Sequence, residues 1–346
     1  MKYKTKKSTP HLKSFLKEVG KEVNPVIDQI LLTGIDKKFH EIVKYQISSG
    51  GKRLRPALAI LSCRMLKGKT KDVLYPAALL EILHNYTLIT DDIIDHSDIR
   101  RNQPTVWKKF GKSMAECTAM IYAASIFHLP PHVKNKEQIL RILTTTLKAI
   151  TNGQFLDILF EQAGREDENY VVKNRYKEIK LESYFAMISR KTASLLAACL
   201  EIGGLCANAD QRDIKKLRYI GHNLGIAFQI QDDLLDIFGN EKEFGKKIGK
   251  DIIEKKLGNI IISLALKEFA PPEKKRFLAI MKRKKVSSKD IKNAIALIKK
   301  TNAHSKAFKI KTDYINKAKK SLSSLPQNKW SHLLNELLDF SVIRKG

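Results

Sequence analysis

The sequence has no run of about 18 uninterrupted apolar residues, the length a membrane-crossing helix requires. The segment Met1 to Lys21 is rich in lysine but has no apolar stretch behind it, so it does not read as a secretory signal. Cysteine is sparse. Cys63, Cys117, Cys199 and Cys206 form no C-x-x-C pair, which argues against a zinc site and against a disulfide framework. Alternating apolar–polar strand patterns are nearly absent, which disfavours a large sheet. Acidic residues are the scarce charge: 36 Asp and Glu face 64 Lys and Arg, for a net charge of +28. From Glu241 onward 27 basic residues meet only 10 acidic ones, a local net of +17. Around the basic run Lys282 to Lys285 there is no aromatic interleaving and no nucleic-acid module, so a nucleic-acid partner is not expected. These absences predict a reduced, cytoplasmic protein.

What is present is helical periodicity. Leu54, Leu58, Leu61 and Met65 form one apolar stripe; Leu79, Ile82, Leu83 and Tyr86 form another; Leu195, Leu196, Cys199 and Ile202 form a third. Breakers fall between such stripes, among them Gly50-Gly51, Pro76, Pro104, Pro130-Pro131, Gly203-Gly204 and Pro271-Pro272. The polar stretches Pro130 to Glu137 and Gly164 to Asn174 read as surface loops. The expected fold is an all-α bundle, and the length allows one large core or two ordinary domains.

One acidic motif occurs twice. Asp91-Asp92-Ile93-Ile94-Asp95 and Asp232-Asp233-Leu234-Leu235-Asp236 both have the form D-D-x-x-D, each among large apolar residues that favour burial. Four-residue spacing puts Asp91 with Asp95, and Asp232 with Asp236, on one helical face. Carboxylates crowded in a poorly hydrated site repel unless a cation compensates them. Magnesium suits this role because it takes one or two carboxylates and completes its shell with water and phosphate oxygens. Two such helices facing across a cavity would form a magnesium–diphosphate clamp. Basic clusters lie near in sequence: Gly50-Gly51-Lys52-Arg53-Leu54-Arg55-Pro56, and Arg100-Arg101 just past the first aspartates. Arginine's planar fork suits bidentate phosphate contacts.

Taken in order from Lys44 to Lys256, these motifs resemble the trans-isoprenyl diphosphate synthase (polyprenyl synthetase) family. They are GGKRLRP at 50–56, HNYTLITDDIID at 84–95, RRNQPT at 100–105, Gly153-Gln154 with Asp157, YFAMISRKTASL at 184–195, FQIQDDLLD at 228–236, and KIGKD at 247–251 followed by Lys256. The resemblance implies head-to-tail prenyl transfer: ionisation of an allylic diphosphate, attack by isopentenyl diphosphate, and proton loss. It implies about two to three magnesium ions held by Asp91, Asp95 and Asp232, with Asp92, Asp233, Asp236 and Asp251 in support. It implies that Arg100, Lys191, Thr192, Gln229, Lys247 and Lys256 contact the allylic diphosphate, and that Lys52, Arg55, His84 and Arg101 contact isopentenyl diphosphate. Bulk before the first aspartates limits chain growth in the family. Tyr86, with Thr87 beside it, therefore points to a short product, geranylgeranyl or farnesyl diphosphate. A homodimer is implied in the same way, as is a single-domain all-α bundle over residues 1–346 around a central cavity, with a basic C-terminal helical region at about 257–346. The chain departs from the family's usual pattern at Thr90, where histidine is common, and at Asn102, where glycine is common.

Three rival readings stand beside this one. A non-catalytic subunit of a heteromeric synthase would have lost aspartates or basic residues, and both sets are intact here. A terpene cyclase would not need the Lys52–Arg55 cluster. A nucleic-acid-binding role would rest on the +17 C-terminal region alone. Compatible with the enzyme reading, a lysine-faced helix in the C-terminal region would allow peripheral contact with anionic lipid.

Overall fold

A computed structural model describes residues 10–239 and 248–343. Helices make up 75% of the chain, so the all-α expectation holds. In chain order the principal helices are α1 (Pro10–Leu32), α2 (His40–Ser48), α3 (Leu54–Met65), α4 (Thr70–Ile94), α5 (Val106–Phe110), α6 (Lys112–Ser125), α7 (Lys136–Leu159), α8 (Asn169–Asn174), α9 (Leu181–Ile188), α10 (Ser194–Cys206) and α11 (Gln211–Phe238). After the segment outside the described residues come α12 (Lys250–Ile253), α13 (Ile260–Glu268), α14 (Pro271–Met281), α15 (Ser288–Ile298), α16 (Ala303–Leu322) and α17 (Lys329–Ile343). Among the described residues, extended pairing beyond one isolated bridge is confined to a two-rung hairpin, Ile99–Arg100 against Gln103–Pro104. Among the described residues no helix is long and apolar enough to cross a membrane.

Helix α10 is apolar on every side, with an unbroken buried run from Leu195 to Leu200, as expected of a helix wrapped by others. It packs against α3, α4, α7 and α11. Two apolar clusters result. The larger gathers α1, α3, α4, α6, α7, α10 and the first half of α11. The smaller gathers Phe160, Tyr184 to Ala193, the second half of α11, and buried residues from Ile252 to Ala307. Helices α11 and α16 lie along one another and run through both clusters, tying them together.

Several apparent breakers do not break helices. Gly203 and Gly204 lie inside α10, and a Cβ on Gly203 would come within 1.9 Å of Ser62 Oγ and 2.2 Å of the Ala59 carbonyl oxygen. The glycine is there to let α10 cross α3 closely. Pro76 sits in the second turn of α4 and is buried; there it removes one early hydrogen bond while its ring fills the core. The stretch read as a loop from Gly164 to Asn174 ends in the short helix α8, anchored by buried Val171.

Between α9 and α10 the helix widens into a π turn, Ser189–Ala193, which carries Lys191 and Thr192. Such turns cost helical regularity and are common at functional positions. Two glycines grip this one. A Cβ on Gly153 of α7 would lie 2.4 Å from the Lys191 nitrogen, and one on Gly225 of α11 would lie 2.4 Å from Ala193 Cα. Backbone on both sides leaves no flexible side chain to give way. Gly153→Ala is therefore expected to destabilise the protein by about 2 kcal/mol or more, read as a lowered urea midpoint at unchanged m-value.

Candidate active site

Both D-D-x-x-D motifs fall at the C-terminal ends of long helices. Asp91 and Asp92 occupy the last turn of α4 and Asp95 caps it, while Asp232 to Asp236 occupy the last two turns of α11. A helix C-terminus carries partial negative charge. The carboxylates therefore add to an unfavourable potential, and the surrounding contacts show how it is met.

At the first motif, buried Asp92 is gripped by Arg100. The guanidinium Nε donates to both carboxylate oxygens at 2.9 and 2.8 Å, and Nη2 reaches Oδ1 at 2.8 Å. Burial still pushes the Asp92 carboxyl up, against the pull of Arg100. Asp95 Oδ1 accepts from Lys256 Nζ at 3.1 Å. Burial works to raise Asp95, but Lys256 and Lys191 outweigh it and leave this carboxyl below its ordinary value. Asp91 is half-buried and has no hydrogen-bond or ion-pair partner among the described residues. Burial raises its carboxyl, with Lys191 opposing. The α4 end is closed by Arg165, whose Nη2 donates to the Ile94 carbonyl at 2.9 Å while its other groups hold Glu161.

The second motif is organised differently. Asp233 is buried and fully engaged: it accepts from Tyr184 OH at 2.8 Å, from the Ile260 N–H at 2.9 Å and from Gln229 Nε2 at 3.0 Å. Thr192 Oγ1 donates to Gln229 Oε1 at 2.8 Å, which extends the chain to the π turn. Asp236 accepts the backbone N–H groups of Lys250 and Asp251 at 2.8 and 3.2 Å. Asp251 in turn accepts from Asn259 Nδ2 at 2.8 Å. Burial, reinforced by the Asp251 charge, drives the carboxyls of Asp233 and Asp236 upward. Asp232 is the half-buried member of this trio.

Lysines join the two motifs. Lys191 Nζ donates to Asp157 Oδ2 at 2.7 Å. Lys256 Nζ lies 3.2 Å from the same oxygen, 3.1 Å from Asp95 and 3.2 Å from Glu254. The two ammonium groups hold Asp157 far below the usual carboxylate range despite its burial. Asp157, on α7, is thus the hub of the cationic side of the cleft. Sequence reading placed it in a motif with Gly153 and Gln154 but gave it no role; its own signal is a carboxylate flanked by Leu156 and Ile158 on an inward-facing helix.

The remaining expected positions group around His84. Its ring is half-buried, and burial together with Arg55, Arg101, Arg100 and Arg53 pushes its pKa well down, so the imidazole is neutral at pH 7. Arg101 and Asn102 adopt left-handed φ of 53° and 60° at the tip of the hairpin, a turn that asparagine tolerates in place of glycine. Arg101 Nη1 donates to the Gly50 carbonyl, and the guanidinium occupies the space over Gly51, whose φ of 133° suits glycine. Lys52 is exposed, with Nζ 5.2 Å from the centre of the Phe340 ring. Arg53, not among the expected residues, is buried and structural: it donates to Asn24 Oδ1 at 2.8 Å and to the Ile47 and Gly50 carbonyls at 3.0 and 3.1 Å. Nothing in the GGKRLRP pattern marks which of its three cations turns inward. Tyr86 is half-buried against the larger core cluster. The Thr87 hydroxyl donates to the His84 carbonyl at 2.7 Å, and that of Thr90 lies within hydrogen-bond range of the Tyr86 and Thr87 carbonyls. Lys247 lies outside the described residues.

Among the described residues no three His, Cys, Asp or Glu side chains form a ready-made metal cage. The donor set nevertheless fits a divalent cation that completes its shell with water and phosphate oxygens. Asp91 is an unpartnered carboxylate at a negative helix end, and burial penalises its charge.

With this geometry in view, comparison with known proteins gives one consistent answer. Residues 36–298 match the family model described as polyprenyl synthetase. The short chain isoprenyl diphosphate synthase of Methanocaldococcus jannaschii is 35% identical over 83% of this chain and 84% of its own. The geranylgeranyl diphosphate synthase of Sulfolobus acidocaldarius is 33% identical over 96% of this chain and 98% of its own. The crystal structure of geranylgeranyl pyrophosphate synthetase from Pyrococcus horikoshii superposes with a TM-score of 0.85 at 31% identity, covering 96% of this chain and 98% of that one. The chain belongs to the polyprenyl synthetase family, whose members are all-α prenyltransferases of isoprenoid biosynthesis. Relatives at lower identity bear the names geranylfarnesyl diphosphate synthase and heptaprenyl diphosphate synthase component 2.

Removing the Asp157 charge leaves two buried ammonium groups facing each other. Asp157→Asn is expected to cost about 3 kcal/mol or more of stability, the scale for breaking a buried ion pair from one side. Denaturant unfolding at pH 7 measures it, and a change below about 1 kcal/mol would show that Asp157 is not the hub.

Proposed function

We propose that this protein condenses isopentenyl diphosphate with an allylic diphosphate, head to tail, to give a short-chain prenyl diphosphate. The observation that carries this reading is the Lys191–Asp157–Lys256–Asp95 network, which sets two ammonium groups beside the first aspartate motif, with the π turn linking to the second. We assign the allylic diphosphate to Lys191, Lys256, Arg100 and Lys247, and isopentenyl diphosphate to Lys52, Arg55, Arg101 and neutral His84. Asp91, Asp95 and Asp232 are the proposed ligands of magnesium, which when bound supplies Lewis-acid stabilisation of the departing diphosphate. Lys191 and Lys256 stabilise the same developing charge from the protein side. Thr192 and Gln229, hydrogen-bonded to each other where the π turn meets α11, are assigned to the allylic diphosphate as well, and the reaction requires that water, which would quench the developing cation, be kept out.

Several finer points belong to this proposal. The support for Asp92, Asp233 and Asp236 as positioning groups is that each already holds its own partners: Arg100; Tyr184, Gln229 and Ile260; and the 250–251 backbone. Tyr86, five residues before Asp91, supports a short product, and the lack of a two-residue insertion between the aspartates of Asp91-Asp92-Ile93-Ile94-Asp95 puts geranylgeranyl diphosphate ahead of farnesyl. The working form is taken as a single-domain homodimer in the cytoplasm. Four free cysteines accord with a reducing compartment. A non-catalytic subunit is the second reading, favoured by the heptaprenyl component names among relatives.

The purified chain alone, given magnesium, labelled isopentenyl diphosphate and an allylic starter, is expected to form product. Asp91→Ala is expected to lower kcat by at least a thousandfold. No turnover by the unmutated chain, with activity restored by a second, different chain, selects the subunit reading. Tyr86→Ala is expected to lengthen the product by one or more five-carbon units on reversed-phase chromatography; an unchanged chain length removes Tyr86 as the limiting residue.

A further inference from the structure

The strongest unassigned feature outside the cleft is a charged surface. Helices α14 and α15 pack as an antiparallel pair joined by residues 282–287. Between Lys274 and Lys300 this hairpin exposes eleven basic side chains: Lys274, Lys275, Arg276, the run Lys282 to Lys285, Lys289, Lys292, Lys299 and Lys300. One acidic residue falls in the same span, Asp290. It is buried and spent internally, capping Ser287 and pairing with Arg283 at 2.5 Å. The large positive surplus of the C-terminal region is therefore concentrated on one element.

That element borders the Lys255–Lys256 turn at one edge of the site. Lys255, next to Lys256 of the site, donates from Nζ to the Lys284 carbonyl at 3.1 Å, and its own carbonyl accepts from the Gln162 N–H at 3.0 Å. On the other side, Gly249 packs directly on Ile291 of α15. The same rim exposes apolar surface. Ile253 on α12 is 38% exposed, and Tyr170 and Val172 on α8 are 75% and 44% exposed. Three acids stand on the approach to α8: Glu168 pairs with Arg165 and Glu166 accepts the Gly164 N–H, while Asp167 is exposed, a small negative charge beside eleven basic side chains.

We infer that the α14–α15 hairpin and the adjoining apolar rim seat this protein on an anionic phospholipid surface, with that edge of the site toward the bilayer. Basic side chains near such a surface contribute on the order of fivefold in partitioning each, and scattered exposed apolar and aromatic groups suit the headgroup boundary. A nucleic acid fits less well, because the hairpin itself exposes no aromatic side chain for base stacking. The inference deepens the proposed chemistry, since a prenyl product partitions into lipid. Binding is read without turnover, so the two ideas fail separately.

The test is co-sedimentation of the full chain with vesicles of phosphatidylcholine alone or with about 30% phosphatidylserine. Binding is expected to the anionic vesicles only and to fall steeply with salt. Lys282→Glu, Lys284→Glu and Lys285→Glu together are expected to reduce it at least tenfold, with prenyl transfer on dissolved substrates unchanged within twofold. Arg283 is spared because it holds Asp290. A control reversing exposed Lys67, Lys69 and Lys71 to Glu carries the same net charge and is expected to retain binding. Equal loss in that control, equal binding to neutral vesicles, or displacement from anionic vesicles by single-stranded RNA at matched phosphate concentration would overturn the inference.

Discussion

Carboxylates placed at the negative ends of two long helices are the constraint to which the rest of the structure answers. Asp91, Asp92 and Asp95 close α4, and Asp232, Asp233 and Asp236 close α11. Like charges at short range, burial and the helix dipole all oppose ionisation there. The protein meets this unequally. Asp92 has a guanidinium fork, Asp95 an ammonium, and Asp233 and Asp236 backbone N–H groups and hydroxyl or amide donors. Asp91 has no such partner among the described residues, and burial raises its carboxyl. Charge distribution along the chain follows from the same constraint, because the lysines that balance α4 come from the π turn and from the 254–256 turn, both distant in sequence.

Close helix packing is what delivers those lysines. A regular helix through 189–193 would present Lys191 on a different bearing, and the π turn is retained because backbone from two neighbours presses on it through Gly153 and Gly225. Helix α7 then contributes twice: Gly153 seats the turn, and Asp157, one turn further along, receives the lysine that the turn projects. The second aspartate helix is coupled to the same turn through Thr192, Gln229 and Asp233. A displacement at any of these positions reaches both motifs.

Much of this was legible in the sequence because it obeys helical spacing. The apolar stripes, the D-D-x-x-D pairs and the Arg100–Arg101 step are local patterns. What sequence could not supply was partner choice. Arg100 was expected on substrate and is found on Asp92; Arg53 was indistinguishable from Lys52 and Arg55 until a buried Glu81, Asn24 and two carbonyls were seen around it. Gly203 and Pro76 read as punctuation because local propensity was the only guide, whereas helix crossing and core filling decide their roles. Asn259, which fixes Asp251, carries no sequence mark, and Lys250, inside the KIGKD stretch, holds Asp236 through its backbone N–H, which no side-chain pattern announces.

The resting ion pairs also constrain how ligands enter. Lys256 is shared by Asp95, Asp157 and Glu254, and Lys191 is committed to Asp157. A diphosphate entering alone would draw the lysines from their carboxylates and leave Asp95 less compensated in a buried setting. A divalent cation entering alone at Asp95 would sit against an ammonium a few ångströms away. Under the proposed function, a diphosphate and a divalent cation entering together would let each lysine exchange a carboxylate for a phosphate oxygen and each carboxylate exchange an ammonium for a metal, which would limit the uncompensated charge. The proposed chemistry therefore makes the two bindings mutually favourable, a reciprocity that follows from linkage alone. Under that proposal the network would hold Lys191 and Lys256 beside the departing diphosphate, while the same ion pairs compensate Asp95 and Asp157.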